Sequence, residues 1–301
     1  MPPSTDFNLQ MKKKKGVKIP DLTRLPNTVL PKRYELKLDV DTCKQCYSGQ
    51  VNIRIHVEND VIDNTIWLHC KNLAIKSVHI QLSQFALPVQ ALEVIEVPEK
   101  SCIGLTFPPE TTQKSTRAWI HISFTGELSQ SLEGFFCNPY HDKDGNVKMG
   151  AATMFAATEA RSCFPCFDEP HFKAIFALEV TVSKDLQVIS NMPVMDSELI
   201  GKHKRKDIFE WSKEMSTYLV CIVIGQFDFV QIKANNRTVV RVYSPYGQRE
   251  QGRFSLQVAK KCLEFFNNYF GKRYPLPKLD LVALNRLSVG AMEVTTLFVR
   301  V

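Results

Sequence analysis

The short motifs that announce the common soluble enzymes are missing from this sequence. Its 301 residues hold no Gly-rich phosphate loop and no Gly-x-Ser-x-Gly elbow, so nucleotide hydrolysis and the usual serine-esterase arrangement have no support. None of the histidines (His56, His69, His79, His121, His141, His171 and His203) begins a His-Glu-x-x-His run, so these residues contain no helical zinc-hydrolase motif. Glycine (13) and proline (16) are sparse and 44% of residues are hydrophobic, which sets collagenous and disordered classes aside. Long apolar runs are missing too. The longest, Tyr218–Ile224, falls far short of the ~18–20 residues of a membrane-spanning helix, and no membrane partner is expected.

The opening residues also lack an apolar stretch. The basic run Lys12–Lys15 leads into Gly16–Pro20 with no h-region behind it, so it does not read as a signal peptide, and residues 1–25 are expected to be a flexible basic leader. No interleaved aromatics or groove-reading motif accompany the lysines, which points to a solvated tail and not to a nucleic-acid partner. Much of the formal net charge of +7 sits in this tail, leaving the body mildly basic. Nine cysteines, an odd number scattered from Cys43 to Cys262, fit a reducing cytoplasm better than a paired framework. The Cys43/Cys46 and Cys163/Cys166 pairs stand more than a hundred residues apart. That spacing is unlike a zinc ribbon or finger, and buried or incidental thiols are the expected reading.

The sequence does show strong period-two alternation. Tyr34, Leu36, Leu38 and Val40, then Val51, Ile53, Ile55 and Val57, then Ala118, Ile120, Ile122 and Phe124, then Phe176, Leu178, Val180 and Val182 each mark a half-buried strand. The Asp142–Asn146 stretch reads as a hairpin turn between strands. The fold class is therefore mainly β, a β-sandwich or saddle domain over 26–232. A second unit, 237–301, opens with a strand at Val239–Tyr243. A helical pattern follows over Arg249–Phe270, and then a buried strand over Leu279–Leu284. Phe254, Val258, Cys262, Phe265, Phe266 and Tyr269 fall on one helical face and are expected to be core. A strand-helix-strand piece is incomplete by itself, so a protein partner or further chain is expected to cover it.

Several segments resemble one known family in order: Phe164–Pro170 with Lys173–Phe176, Met215–Val220, Gly225–Phe227, Tyr274–Leu281 and Gly290–Glu293. Together they are similar to the aminopeptidase-N-like zinc aminopeptidases, and Val242–Gln248 and Glu250–Phe254 resemble the puromycin-sensitive type. The resemblance implies an N-terminal β-saddle domain followed by the α+β start of a thermolysin-like catalytic domain, truncated before the zinc motif. It implies release of N-terminal amino acids from peptides as the family activity and zinc as the family cofactor. It also implies that Gly290, Ala291, Met292 and Glu293 bind substrate, the glutamate pairing with the free amine. The family usually carries asparagine where Val294 stands, and pocket-lining Gln and Glu where Met154 and Ala156 stand. With no zinc ligands to carry over, no metal or cofactor is expected in this chain. It is expected to be catalytically silent, its partners being peptides with a free N-terminus.

Overall fold

The computed structural model describes residues 19–82, 86–142, 144–234, 238–295 and 297–300, with backbone alone for 298–300. The largest sheet has eight strands, in the order Val194–Ile200, Lys204–Phe209, Ile175–Ser183, Val29–Asp41, Cys46–Val57, Arg117–Glu127, Ala74–Gln81, Val89–Gln90. It is built from the alternation visible in the sequence. Tyr34, Val51, Ile120 and Phe176 and their even-spaced neighbours all point to one face and are almost fully buried. The register holds them level: Tyr34 pairs with Phe176 and Ile53, and Ile53 with Ile120. Tyr34 and Phe176 stack with ring centroids 4.7 Å apart. The opposite face is polar, with Asn52 and Gln81 hydrogen-bonded to the two ring nitrogens of His121. Gly49 is required where the sheet packs tightly, because a Cβ there would lie 2.4 Å from the Phe124 ring.

Two smaller sheets close the same core. One has three strands (Thr65–His69, Cys102–Thr106, Glu93–Val97) and the other four (Gln187–Ser190, Ile222–Gly225, Val147–Met154, Gly134–His141). The Asp142 turn joins the last two of these in a hairpin, its carboxylate accepting from the Asp144 and Asn146 N–H groups at 2.9 Å each. Within the span placed above in the leader, residues 1–18, including Lys12–Lys15, lie outside the described residues. Leu22 and Leu25 are buried, the Leu25 N–H donates to Glu169 at 2.7 Å, and Arg24 pairs with the same carboxylate. This segment is thus fixed to the body by apolar burial and one buried acid.

A five-stranded sheet follows, in the order Phe227–Ala234, Thr238–Pro245, Lys278–Ala283, Leu297–Arg300, Ala291–Val294. Its first strand pairs along its whole length with the second, so this sheet begins at Phe227. Helix α1, Gly252–Tyr269, packs on it through Leu256, Ala259 and Leu263 against Val230, Val240 and Val242. The expected core stripe is corrected here: Phe254, Val258, Cys262, Phe265, Phe266 and Tyr269 face outward and are exposed. At 3.6 residues per turn the two apolar rows lie about a third of a turn apart, and spacing alone does not say which one meets the sheet. Among the described residues no helix is long and apolar enough to cross a membrane.

Candidate functional site

Ala291–Val294 is a short strand at the edge of the five-stranded sheet, paired antiparallel with Leu297–Arg300. Alternation along it divides the four side chains between two faces. Met292 and Val294 turn toward an apolar cluster shared with the four-stranded sheet, so Ala291 and Glu293 occupy the other face. Glu293 is exposed, and its carboxylate makes no ion pair or hydrogen bond among the described residues. Gly290, just before the strand, is exposed, and a Cβ placed there would meet nothing within 4 Å. Packing therefore does not demand glycine at this position, and its backbone is open to an approaching group. Among the described residues no sheet neighbour takes up the backbone N–H and C=O groups on the outer side of the strand.

Met154, Ala156 and Val294, singled out in the sequence, meet in space. Met154 is 7% exposed within the shared cluster, and Ala156 and Val294 pack against it beside Met292, Phe136, Val223 and Val282. An acid or amide buried in such surroundings costs free energy unless it finds a partner. Met154 is buried and Ala156 and Val294 are half-buried, and together they give this junction an apolar lining.

A buried polar tie that the sequence pattern alone did not single out holds the candidate strand's sheet to the four-stranded sheet. The Lys278 ammonium donates to the Ser190 carbonyl at 2.6 Å and to the Asp280 carboxylate, and both side chains are almost wholly buried. Arg241 stands 3.9 Å from the other Asp280 oxygen. Burial pushes the Lys278 ammonium below its ordinary value, against the opposing pull of Asp280. Burial and the Asp280 charge push the Tyr243 and Tyr274 phenols up to about 12. Next to Ser190, Asn191 donates to the carbonyls of Leu219 at 2.8 Å and Thr295 at 2.9 Å, fixing the end of the Glu293 strand. The signal was in the sequence. Lys278 and Asp280 alternate with Leu279 and Leu281, which places two opposite charges on one face of a buried strand.

The Phe164–Pro170 motif is structural. The Phe167 N–H donates to the Tyr34 hydroxyl at 3.0 Å, the Thr217 hydroxyl to the Phe167 carbonyl at 3.0 Å, and the Ser216 hydroxyl to the Pro170 carbonyl at 2.6 Å. Two of the family-like segments therefore clasp each other. Arg161 pairs with Asp168 at 2.9 Å, and the Asp168 N–H donates to His69 Nδ1 at 3.1 Å. Burial, with Arg161 nearby, lowers His69 to about 3, so the ring is neutral with its proton on Nε2. Burial also raises the thiols of Cys70, Cys102, Cys163 and Cys166, keeping them protonated and unreactive. A cavity of about 880 Å³ lies between Tyr47, Lys71, Glu127, Glu159 and Lys204, and none of Gly290–Glu293 lines it. Its lysines are already paired, Lys71 with Glu159 at 2.8 Å and Lys204 with Asp39 at 2.5 Å.

Among the described residues no three His, Cys, Asp or Glu side chains are grouped so as to hold a metal ion.

Comparison with known proteins places this geometry. The peptidase M1 N-terminal domain matches residues 30–219, and the peptidase family M1 domain matches residues 254–300. The puromycin-sensitive aminopeptidase of Caenorhabditis elegans is 34% identical over 272 residues, covering 90% of this chain and 28% of that protein. Aminopeptidase 2, mitochondrial, of Saccharomyces cerevisiae is 36% identical over 278 residues, covering 92% and 28%. Aminopeptidase M1 of Arabidopsis thaliana is 35% identical over 272 residues, covering 90% and 30%. The chain thus spans less than a third of the length of these relatives.

Proposed function

Because the chain belongs to the peptidase M1 family, we propose that it is the N-terminal portion of a puromycin-sensitive-type aminopeptidase and that it binds free peptide N-termini without cleaving them. The observation that carries this reading is the exposed, unpaired Glu293 on an edge strand beside the bare backbone of Gly290. An extended peptide adds to such an edge through main-chain hydrogen bonds, and a carboxylate at its end selects an ammonium group. A charged hydrogen bond of this kind is worth roughly 1.5–3 kcal/mol, enough for recognition and far too little for hydrolysis.

Zinc, when bound in a peptidase of this kind, activates water and polarises the scissile carbonyl. The described residues assemble no donor set for it, and the part proposed for this chain is binding. The share of its relatives that the chain spans favours a second reading, in which further chain or a partner supplies the zinc ligands and the whole is an active aminopeptidase. The apolar lining of Met154, Ala156 and Val294 weighs against ordinary substrate specificity in that case. A plain β-sandwich interaction module is the third, and it predicts no dependence on a free amine. All nine cysteines are free, which supports a reducing compartment such as the cytoplasm.

Calorimetric titration with short alanyl and leucyl peptides tests the proposal. Free peptides are expected to bind, and N-acetylated ones to bind at least ~10-fold more weakly, as is Glu293→Gln toward the free peptides. Equal affinity for free and acetylated peptides would leave Glu293 without the role given to it.

A further inference from the structure

The polar face of the eight-stranded sheet carries an arginine cluster that peptide binding at Glu293 does not use. Arg33 on Val29–Asp41 lies directly opposite Arg54 on Cys46–Val57, beside a bulge at Pro31/Arg33. On the next strand, Arg117–Glu127, Trp119 lies opposite Arg54 and Arg117 opposite His56, which makes Arg117 a diagonal neighbour of Arg54. Like charges side by side in a sheet cost free energy. Burial lowers the Arg33 guanidinium against the pull of Glu35, and the Arg54 charge adds to the lowering. The flanking acids are already engaged: Glu35 accepts from Arg33 at 2.9 Å and from Asn52 at 3.3 Å, and Glu58 stands 3.6 Å from His56. Arg54 and Arg117 are exposed and make no ion pair or hydrogen bond among the described residues. We propose that Arg33, Arg54 and Arg117 form a binding site for a small anion that carries two or more phosphoryl groups.

The crowding of like charge, and not the openness of the face, selects an anion. A guanidinium offers a planar fork of N–H donors that matches phosphate oxygens and stays charged at any working pH. Neighbouring strands lie ~4.8 Å apart, so arginines on three adjacent strands span roughly 10 Å, wider than one phosphoryl group and suited to two. One of the three forks is held in place before any ligand arrives. The Arg33 guanidinium carbon lies 3.2 Å from the Trp211 ring centroid and 5.7 Å from that of Trp119. A side chain clamped in this way loses little rotamer freedom on binding. Among the described residues, Arg33 Nε and the Nδ1 of His56 are buried with no hydrogen-bond partner. Arg54 and Arg117 can close on the anion from the solvent side, where it relieves their mutual repulsion. The cluster lies on a different sheet from Glu293 and does not rest on the peptide-binding reading.

Calorimetric titration of the full chain with inositol hexakisphosphate tests the proposal. Binding is expected, and Arg54→Gln with Arg117→Gln should weaken it at least ~10-fold with the circular dichroism unchanged. Arg54→Lys with Arg117→Lys keeps the charge without the fork and should still lose at least ~3-fold. The lysine run is the control: Lys12→Gln, Lys13→Gln, Lys14→Gln and Lys15→Gln together should leave the affinity unchanged. Flotation with vesicles containing phosphatidylinositol bisphosphate separates two sources of the phosphoryl groups. Flotation that the Arg→Gln pair abolishes assigns them to a lipid headgroup, and a chain that binds the inositol phosphate but stays in solution assigns them to a soluble phosphate. No binding of inositol hexakisphosphate overturns the proposal, as does an affinity that the Arg→Gln pair keeps. Binding that disappears with the lysine run overturns it too, since the anion would then sit on the leader.

Discussion

Asp280→Ala is expected to lower the stability of the chain by about 3–5 kcal/mol in urea unfolding, a large share of the total for any domain. The reason is the position of Lys278, which is 3% exposed and shares its proton-bearing nitrogen between Asp280 and the Ser190 carbonyl. Without the carboxylate, a buried ammonium keeps one neutral acceptor, and the cost of its lost hydration is no longer offset. The double variant Lys278→Met/Asp280→Leu is expected to recover most of the loss, because it removes both buried charges, and the Ser190 carbonyl loses only one neutral-acceptor bond. Tyrosine absorbance gives an independent readout. Asp280 adds to the burial that raises Tyr243, so the phenol should ionise at lower pH in Asp280→Ala. A single-variant loss under about 1 kcal/mol would show that the pair is reached by water and does not tie the sheets together.

The second large effect is loss of stability in mild acid. His69 takes up a proton near its ordinary value of about 6.5 in the unfolded chain, but only near about 3 in the folded one, where burial and Arg161 oppose the charge. Between those limits the unfolded state binds the extra proton. The stabilisation is complete above about pH 6.5 and falls by up to ~1.4 kcal/mol per pH unit as pH drops, about 3 kcal/mol by pH 4. Asp168 works the other way at the acid end. Burial raises its carboxyl against the pull of Arg161, so the folded state gains that proton more readily. The loss should therefore be steepest in the upper part of the window. Unfolding midpoints measured from neutral pH downward should show it, and His69→Gln should flatten the slope. An equally steep slope in the variant would place the acid-sensitive group elsewhere.

Lys278, Asp280 and Asp168 lie in family-like motifs that marked them without revealing their work, whereas His69 lies in none. Strands with one buried face were legible because Tyr34–Val40, Val51–Val57, Ala118–Phe124 and Phe176–Val182 repeat with the period of the pleat. Helix α1 was legible in extent but not in orientation. Leu256 and Leu263 on one side and Phe254 and Phe265 on the other carry equal apolar weight, and only the sheet decides between them. The clasp joining Phe167 to Tyr34 and Thr217 depends on long-range packing, which no local pattern encodes. For the Glu293 strand, four residues at a sheet edge are too few to show a period, and only the motif pointed to it. Met154, Ala156 and Val294 stood out singly as departures, and their meeting in one cluster is a fact of the fold.

Recognition without cleavage is decided by a turnover assay. Release of fluorophore from alanyl- and leucyl-coumarin by the purified 301-residue chain should stay at the buffer rate, with zinc added and again after a chelator. Turnover that rises with zinc and disappears with the chelator would contradict the account, since a working metal centre would then be formed by this chain.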